Sequence, residues 1–172
     1  MDIALLVLRL VVGLYLFGHG SQKLFGWFGG YGLKGTAGFF GSALGFRPAG
    51  LWTLLAGLSE AGGGLLMALG FLSPLGPLGV AAAMLVAIFA VHWPKGVWAQ
   101  NGGYELPLTN LAAAVALALT GPGAVSLDAA LGIALPEPLT LMAGSALALL
   151  GVVVALATRQ QPAQSRESAV AA

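Results

Sequence analysis

The sequence predicts an all-α integral membrane protein, and three observations support this fold class. Of the 172 residues, 58% are hydrophobic and 8% are charged, and the mean hydropathy is +0.92, whereas about 25% of a typical soluble domain is charged. A membrane-spanning helix needs about 20 residues, and several apolar runs of the chain approach this length. No segment alternates apolar and polar residues as the strands of a membrane β-barrel do. We therefore expect one compact helical bundle without a separate soluble domain.

Composition also excludes several classes of function. The chain has no cysteine, so thiolate metal sites and any thiol relay within this polypeptide are excluded. The formal net charge of +1 is too small to suggest a nucleic acid partner. We expect membrane lipid, partner redox subunits or further copies of the chain as partners.

Five apolar runs predict five transmembrane helices, and they cover residues 3–18, 51–72, 75–93, 106–120 and 139–157. The first run lacks a basic leader and contains Arg9, which favours a retained helix over a cleaved signal peptide. The fourth run is short for a membrane crossing and would need the flanking residues Tyr104 and Glu105. The fifth run has no ionisable residue before Arg159, so we predict a structural or oligomer-contact helix.

The connecting segments are predicted to be irregular. Residues 26–45 interleave glycine with phenylalanine but lack the spacing of a phosphate-binding loop. We expect this loop to lie in the membrane interface or to pack against the bundle. Residues 159–172 are polar and are predicted to form a disordered cytoplasmic tail.

The distribution of charge predicts the orientation in the plasma membrane. With five alternating helices, one side of the membrane receives six of the seven basic residues, which are Lys23, Lys34, Arg47, Lys95, Arg159 and Arg166. All four tryptophans fall at the same side, where indole rings favour the interface. The positive-inside rule therefore places the N-terminus outside and the tail in the cytoplasm.

Arg9 and Glu60 are the two ionisable residues that lie well inside apolar runs. A charge at the bilayer centre is costly and needs a partner. If His19 and Trp52 mark the same interface, Arg9 and Glu60 lie about 15 and 12 Å below it. The sequence therefore predicts an Arg9–Glu60 pair, which would serve as a structural latch or as the floor of a ligand or proton site.

A second group of polar residues is predicted near the basic face: His19, Lys23, His92, Glu105 and Asn110. Interfacial histidines are commonly hydrogen-bonded or hydrated. The histidines lack the apolar surroundings of a haem ligand, and the spacing does not single out a metal site. We expect neither haem nor metal. Donors of this kind above an apolar cleft would suit the carbonyl oxygens of a quinone headgroup.

Three motifs resemble the DoxX family of small membrane proteins. After Arg9, residues 18–24 read Gly-His-Gly-Ser-Gln-Lys-Leu, residues 57–64 read Gly-Leu-Ser-Glu-Ala-Gly-Gly-Gly, and residues 121–128 read Gly-Pro-Gly-Ala-Val-Ser-Leu-Asp. The resemblance covers about residues 3–130. It implies a four-helix membrane domain over 1–130, to which 131–158 adds a connector and an extra fifth transmembrane helix. The motif residues carried over are Arg9, Gly18, His19, Gly20, Lys23, Glu60, Gly64 and Asp128.

The resemblance also implies a function. Members of the family are associated with quinone-linked oxidation, with detoxification of quinones or catechols, and with redox-stress complexes. The hypothesis is therefore a membrane subunit of an oxidoreductase system that binds a quinone or similar apolar redox ligand. The alternatives are a small proton-coupled transporter or channel, in which Glu60 titrates beside Arg9, and a non-catalytic membrane scaffold.

Overall fold

The computed structural model describes residues 1–160, and within them the predicted all-α fold is confirmed. The α-helices are α1 (Asp2–Phe25), α2 (Gly32–Ser42), α3 (Ala49–Leu69), α4 (Leu75–Ala87), α5 (Glu105–Thr120), α6 (Leu127–Leu131) and α7 (Leu139–Ala157). A π-helical turn, Ile88–His92, and a 3₁₀ turn, Trp93–Lys95, prolong α4. All five predicted helices are present, as α1, α3, α4, α5 and α7.

Four helical segments of the described chain are long and apolar enough to cross a bilayer: Asp2–Phe25, Ala49–Leu69, Leu75–Lys95 and Leu139–Ala157. The protein is therefore a multi-pass membrane protein. Helix α5 has 16 residues, which corresponds to about 24 Å and is shorter than a usual crossing of the hydrocarbon core.

Helix α3 occupies the centre of the bundle and packs against α1, α2 and α4. Its contacts with α1 and α4 include close backbone approaches at glycines. A Cβ atom built on Gly64 would lie 2.6 Å from the carbonyl oxygen of Gly13, and one built on Gly76 would lie 2.8 Å from that of Gly63. Such close approach is how small residues drive helix association in membranes.

Two features differ from the sequence prediction. Helix α1 continues past Gly18 to Phe25, and the predicted loop contains the helix α2. Helix α2 escaped prediction because it carries four glycines, each of which costs up to about 1 kcal/mol relative to alanine in a helix interior. Within the predicted loop, Phe40 of α2 is buried, whereas Phe28, which precedes α2, is exposed. One part of the loop therefore packs on the bundle and another part faces outward.

Helix α7 packs mainly on α4 and is otherwise exposed. Only 11% of the residues in its most apolar stretch are buried. Most of its large side chains therefore face the lipid. Residue Arg159, which the sequence analysis assigned to a disordered tail, instead bonds to the bundle at the end of α7. Residues 161–172 of the predicted tail lie outside the described residues.

Candidate ligand-binding cavity

An ion pair joins α1 and α3 in the middle of the bundle. The Nζ atom of Lys23 donates a hydrogen bond to Oε2 of Glu60. Glu60 lies near the midpoint of α3 and its side chain is 7% exposed, whereas that of Lys23 is 23% exposed. Lys23 is two residues from the end of α1, so its long side chain reaches from the end of one helix to the middle of another.

The predicted Arg9–Glu60 pair is wrong. The two helices run antiparallel, with Gly20 against Ala61 and Gly13 against Gly64. This register places Arg9 beside Gly70, at the far end of α3 from Lys23. The depth argument failed because it took His19 as the end of the helix, whereas α1 extends six residues further to Phe25.

Arg9 instead belongs to a structural contact that we call the Arg9 clasp, formed by Arg9, Val125, Asp128 and the turn after α3. The Nη2 atom of Arg9 donates to the carbonyl oxygen of Val125. The carboxylate of Asp128 accepts from the backbone N–H groups of Leu72 and Ser73, at 2.8 and 2.9 Å. Arg9 is 2% exposed, and its Nε and Nη1 atoms have no hydrogen-bond partner within residues 1–160.

A cavity of about 720 Å³ adjoins the Lys23–Glu60 pair. Its lining comes from α1, α2, α3, α4 and α7, and is mostly apolar. The polar side chains that reach it are His19, Gln22, Lys23, Tyr31, Thr36, Trp52, Ser59, Glu60 and His92. The volume falls within the range of about 300 to 1,000 Å³ that is usual for small-molecule and cofactor sites.

The packing of the helices explains the shape of the cavity. Helix α4 contacts both α3 and α7, whereas α3 and α7 have few contacts with each other, so the cavity lies between them. It follows α4 from Leu75 to His92, a distance of about 25 Å at 1.5 Å per residue. Polar groups of α1 and α3 therefore meet apolar surfaces of α4 and α7 along one elongated space.

The two histidines occupy different environments within this cavity. His19 lies one helical turn before Lys23 on α1, and its ring makes an edge-to-face contact with Tyr15 at 4.7 Å between centroids. The Nδ1 atom of His92 lies 2.6 Å from the carbonyl oxygen of Gly102. Since that oxygen can only accept, Nδ1 is the donor of this hydrogen bond.

Other predicted site residues lie outside the cavity. Arg9 is in the clasp, and Oε2 of Glu105 accepts from the backbone N–H of Ala99 at 2.9 Å, which fixes the preceding loop. Asn110 is half-buried on α5 and does not line the cavity. Among the described residues, no group of three or more His, Cys, Asp or Glu side chains could hold a metal ion.

The glycines carried over from the motifs and Asp128 do not line the cavity. Gly20 and Gly64 permit the close contact of α1 with α3, whereas a Cβ atom on Gly18 would meet nothing within 4 Å. Asp128 is buried in the clasp. Of the eight residues carried over from the family motifs, His19, Lys23 and Glu60 are the three that line the cavity.

Sequence reasoning missed part of the cavity lining. It did not assign Thr36, Trp52 or Ser59 to a site, and it gave α7 no part in one, although all contribute to the cavity. Ser59 precedes Glu60 directly, which was an available signal. For α7, the small residues Gly144, Ala148, Gly151 and Ala155 recur at helical spacing, a pattern that marks one face of a helix.

Fold and cavity together define a multi-pass α-helical membrane protein with a polar-sided cavity inside its bundle. The DoxX family model matches residues 4–93, and the chain belongs to the DoxX family. The match covers α1 to α4, including the Lys23–Glu60 pair, and stops before α5 and α7. Comparisons with curated proteins and with solved structures found no match.

Proposed function

We propose that this DoxX-family protein is the membrane subunit of an oxidoreductase system and that its cavity binds a quinone or similar apolar redox ligand. The observation that supports the proposal is the Lys23–Glu60 ion pair at mid-bundle beside about 720 Å³ of mostly apolar space. Charges in such a position are expensive and usually have a functional role.

The chemistry of the lining suits a quinone. The ammonium of Lys23 and the ring of His19 can donate to the carbonyl oxygens of a quinone, while the carboxylate of Glu60 can accept from the hydroxyl groups of the reduced form. The apolar surfaces of α4 suit the rest of the molecule. Because the chain has no cysteine, electrons in this proposal pass between the ligand and a partner subunit.

Tryptophan fluorescence provides a direct test. Of the four tryptophans in the described part of the chain, Trp52 lines the cavity, whereas Trp27, Trp93 and Trp98 do not. A variant that keeps Trp52 and replaces the other three by phenylalanine would report on the cavity. The matched control keeps only Trp98.

We expect quinone titration in lipid nanodiscs to quench Trp52 saturably and to quench Trp98 only in proportion to the quinone dissolved in the lipid. Introducing Glu60→Gln into the Trp52 variant should weaken the saturable component. Identical, non-saturating quenching of both reporters would contradict the proposal.

Proton-coupled transport is a second candidate function, favoured by the position of Glu60 at the middle of a membrane helix. Its counter-ion would be Lys23 and not Arg9. A proton flux through liposomes containing the purified protein, lost in Glu60→Ala and retained in Glu105→Ala, would support this function. Absence of flux in the wild-type protein would exclude it.

We also infer that the end of the cavity that is lined by Trp52 faces the cytoplasm. Arg159 bonds to Leu44 and Ala90, so the end of α7, the turn after α2 and the end of α4 share one end of the bundle. The positive-inside rule supports a cytoplasmic location for this end. The chain has no native cysteine, so single cysteines introduced at Lys34 and at Glu137 can be labelled with a membrane-impermeant reagent in whole cells. We expect the cysteine at position 137 to react and the one at position 34 not to react.

A further inference from the structure

Helix α7 contributes a continuous apolar side to the cavity. The residues that line it are Gly144, Leu147, Ala148, Gly151, Val152 and Ala155, which recur at three- and four-residue spacing and so form one helix face. The opposite face carries exposed Met142, Leu150 and Val153. One face of α7 therefore adjoins the cavity while the other adjoins lipid.

Helix α7 is fastened to the cavity at its C-terminal end. The Nε atom of Arg159 donates to the carbonyl oxygen of Leu44 at 2.9 Å and Nη2 donates to that of Ala90 at 3.2 Å. The guanidinium lies 5.5 Å from the ring centroid of Phe46. Leu44, Phe46 and Ala90 all line the cavity, so Arg159 holds α7 against the residues that close this end.

The length of the cavity exceeds what a redox ring would fill. The polar groups that suit a ring, His19, Lys23 and Glu60, lie on α1 and α3, but the cavity extends about 25 Å along α4. Along α7, a Cβ atom added to Gly151 would meet nothing within 4 Å. A larger side chain at residue 151, which lines the cavity, would therefore project into open space.

We infer that α7 forms a subsite for the extended isoprenoid chain of the redox ligand, with Gly151 setting its depth. This inference rests on the proposed function, since it assigns the chain of the same ligand whose ring would contact Lys23 and Glu60. Helix α7 lies outside the family match at residues 4–93, so membership of the family does not by itself imply this subsite.

The test compares two quinones with the same ring, one bearing a long isoprenoid chain and one bearing a methyl group in its place. Each is titrated in nanodiscs of fixed lipid composition, with Trp52 as the reporter. Gly151→Leu places a side chain in the subsite, and Ala148→Leu provides a second such variant. Ala146→Leu is the matched control, because Ala146 is exposed on the same helix and does not line the cavity.

At equal concentrations in the lipid, we expect the wild-type protein to bind the chain-bearing quinone at least about tenfold more tightly, because the chain would gain packing contacts along α7 that lipid tails do not provide. Gly151→Leu and Ala148→Leu should each lose that advantage and keep the affinity for the methyl quinone. Ala146→Leu should behave as the wild type. Size-exclusion chromatography and thermal unfolding establish that the variants are folded.

Two results would overturn the chain subsite while leaving the proposed function intact: unchanged binding of the chain-bearing quinone in both cavity variants, or an equal loss for both quinones. Displacement of the chain-bearing quinone by added phospholipid alone would assign the subsite to lipid acyl chains and also overturn it. If neither quinone binds the wild-type protein saturably, the proposed function and the subsite fail together.

Discussion

The Arg9 clasp and the Lys23–Glu60 pair both place a buried ionisable group in a membrane helix, yet they differ in what surrounds it. Arg9 and Asp128 contact backbone groups of Val125, Leu72 and Ser73, and the adjoining space is about 10 Å³, which is about the volume needed for one water molecule. Glu60 instead contacts a lysine side chain and adjoins about 720 Å³.

This difference indicates different roles. Backbone partners are fixed by the fold, so the clasp holds the α3–α4 turn and the segment before α6 in place. A lysine side chain is flexible and strongly hydrated in the absence of a partner, so Lys23 can shift from Glu60 to a ligand in the cavity. We therefore expect changes at the clasp to alter stability and changes at the ion pair to alter binding.

The largest effect is expected for Asp128→Ala. It removes the acceptor of two backbone N–H groups, those of Leu72 and Ser73, and an unsatisfied buried donor costs about 1 to 3 kcal/mol. We expect a loss of about 2 to 4 kcal/mol in the free energy of unfolding, measured by denaturant titration in detergent. Stability close to that of the wild type would contradict a structural role for the clasp.

A slightly smaller effect is expected for Gly64→Ala. This change affects the close contact of α1 with α3, on which both the Arg9 clasp and the Lys23–Glu60 pair depend. The added Cβ atom would lie 2.6 Å from the carbonyl oxygen of Gly13 and 2.7 Å from the backbone nitrogen of Phe17, and such overpacking costs about 1 to 3 kcal/mol. The control is Gly62→Ala, where a Cβ atom meets nothing within 4 Å. Thermal unfolding should separate the two, and equal melting temperatures would contradict the close contact of α1 with α3.

The Lys23–Glu60 pair predicts a non-additive response. Lys23→Met leaves the carboxylate of Glu60 without its partner, and Glu60→Met leaves the ammonium of Lys23 without its partner. Each single variant should destabilise the protein by about 1 to 3 kcal/mol. The double variant Lys23→Met/Glu60→Met should recover to within about 1 kcal/mol of the wild type. The same double variant should lose saturable quinone quenching of Trp52.

Additive stability effects in this cycle would show that the two side chains do not interact. Retained quinone binding in the stable double variant would show that the pair is a structural latch like the clasp. The two regions would then not differ in role.

The smallest effect is expected for Arg159→Met at the end of α7. The variant loses two hydrogen bonds made by a half-buried side chain, which corresponds to about 1 kcal/mol for each bond. We expect a small decrease in melting temperature together with weaker binding of a chain-bearing quinone. A decrease as large as that of Asp128→Ala would mean that α7 supports the whole bundle and not only the cavity.

The sequence predicted the helices well because each apolar run is long and is bounded by proline, glycine or charge. The ends of α3, α4, α5 and α7 follow from those boundaries. The end of α1 did not, because Gly18 and His19 resemble a helix end although α1 continues to Phe25. This difference of less than two turns led to the wrong partner for Glu60.

The site was predictable in its residue types and less so in its pairings. His19, Lys23, Glu60 and His92 were identified and all reach the cavity. Which buried charge meets which depends on helix register, and register is set by backbone contacts such as that of Gly13 with Gly64. The contribution of α7 depends on tertiary packing against α4, which the helical periodicity of α7 does not specify.

The most direct test of the account is the ligand that remains with the protein after gentle detergent extraction from its native membrane. We predict that mass spectrometry finds a stoichiometric isoprenoid quinone in the wild-type protein, that the Asp128→Asn variant keeps it, and that Lys23→Met/Glu60→Met loses it. Wild-type protein without quinone, or equal quinone in the wild type and the double variant, would contradict the assignment of the cavity as a quinone site.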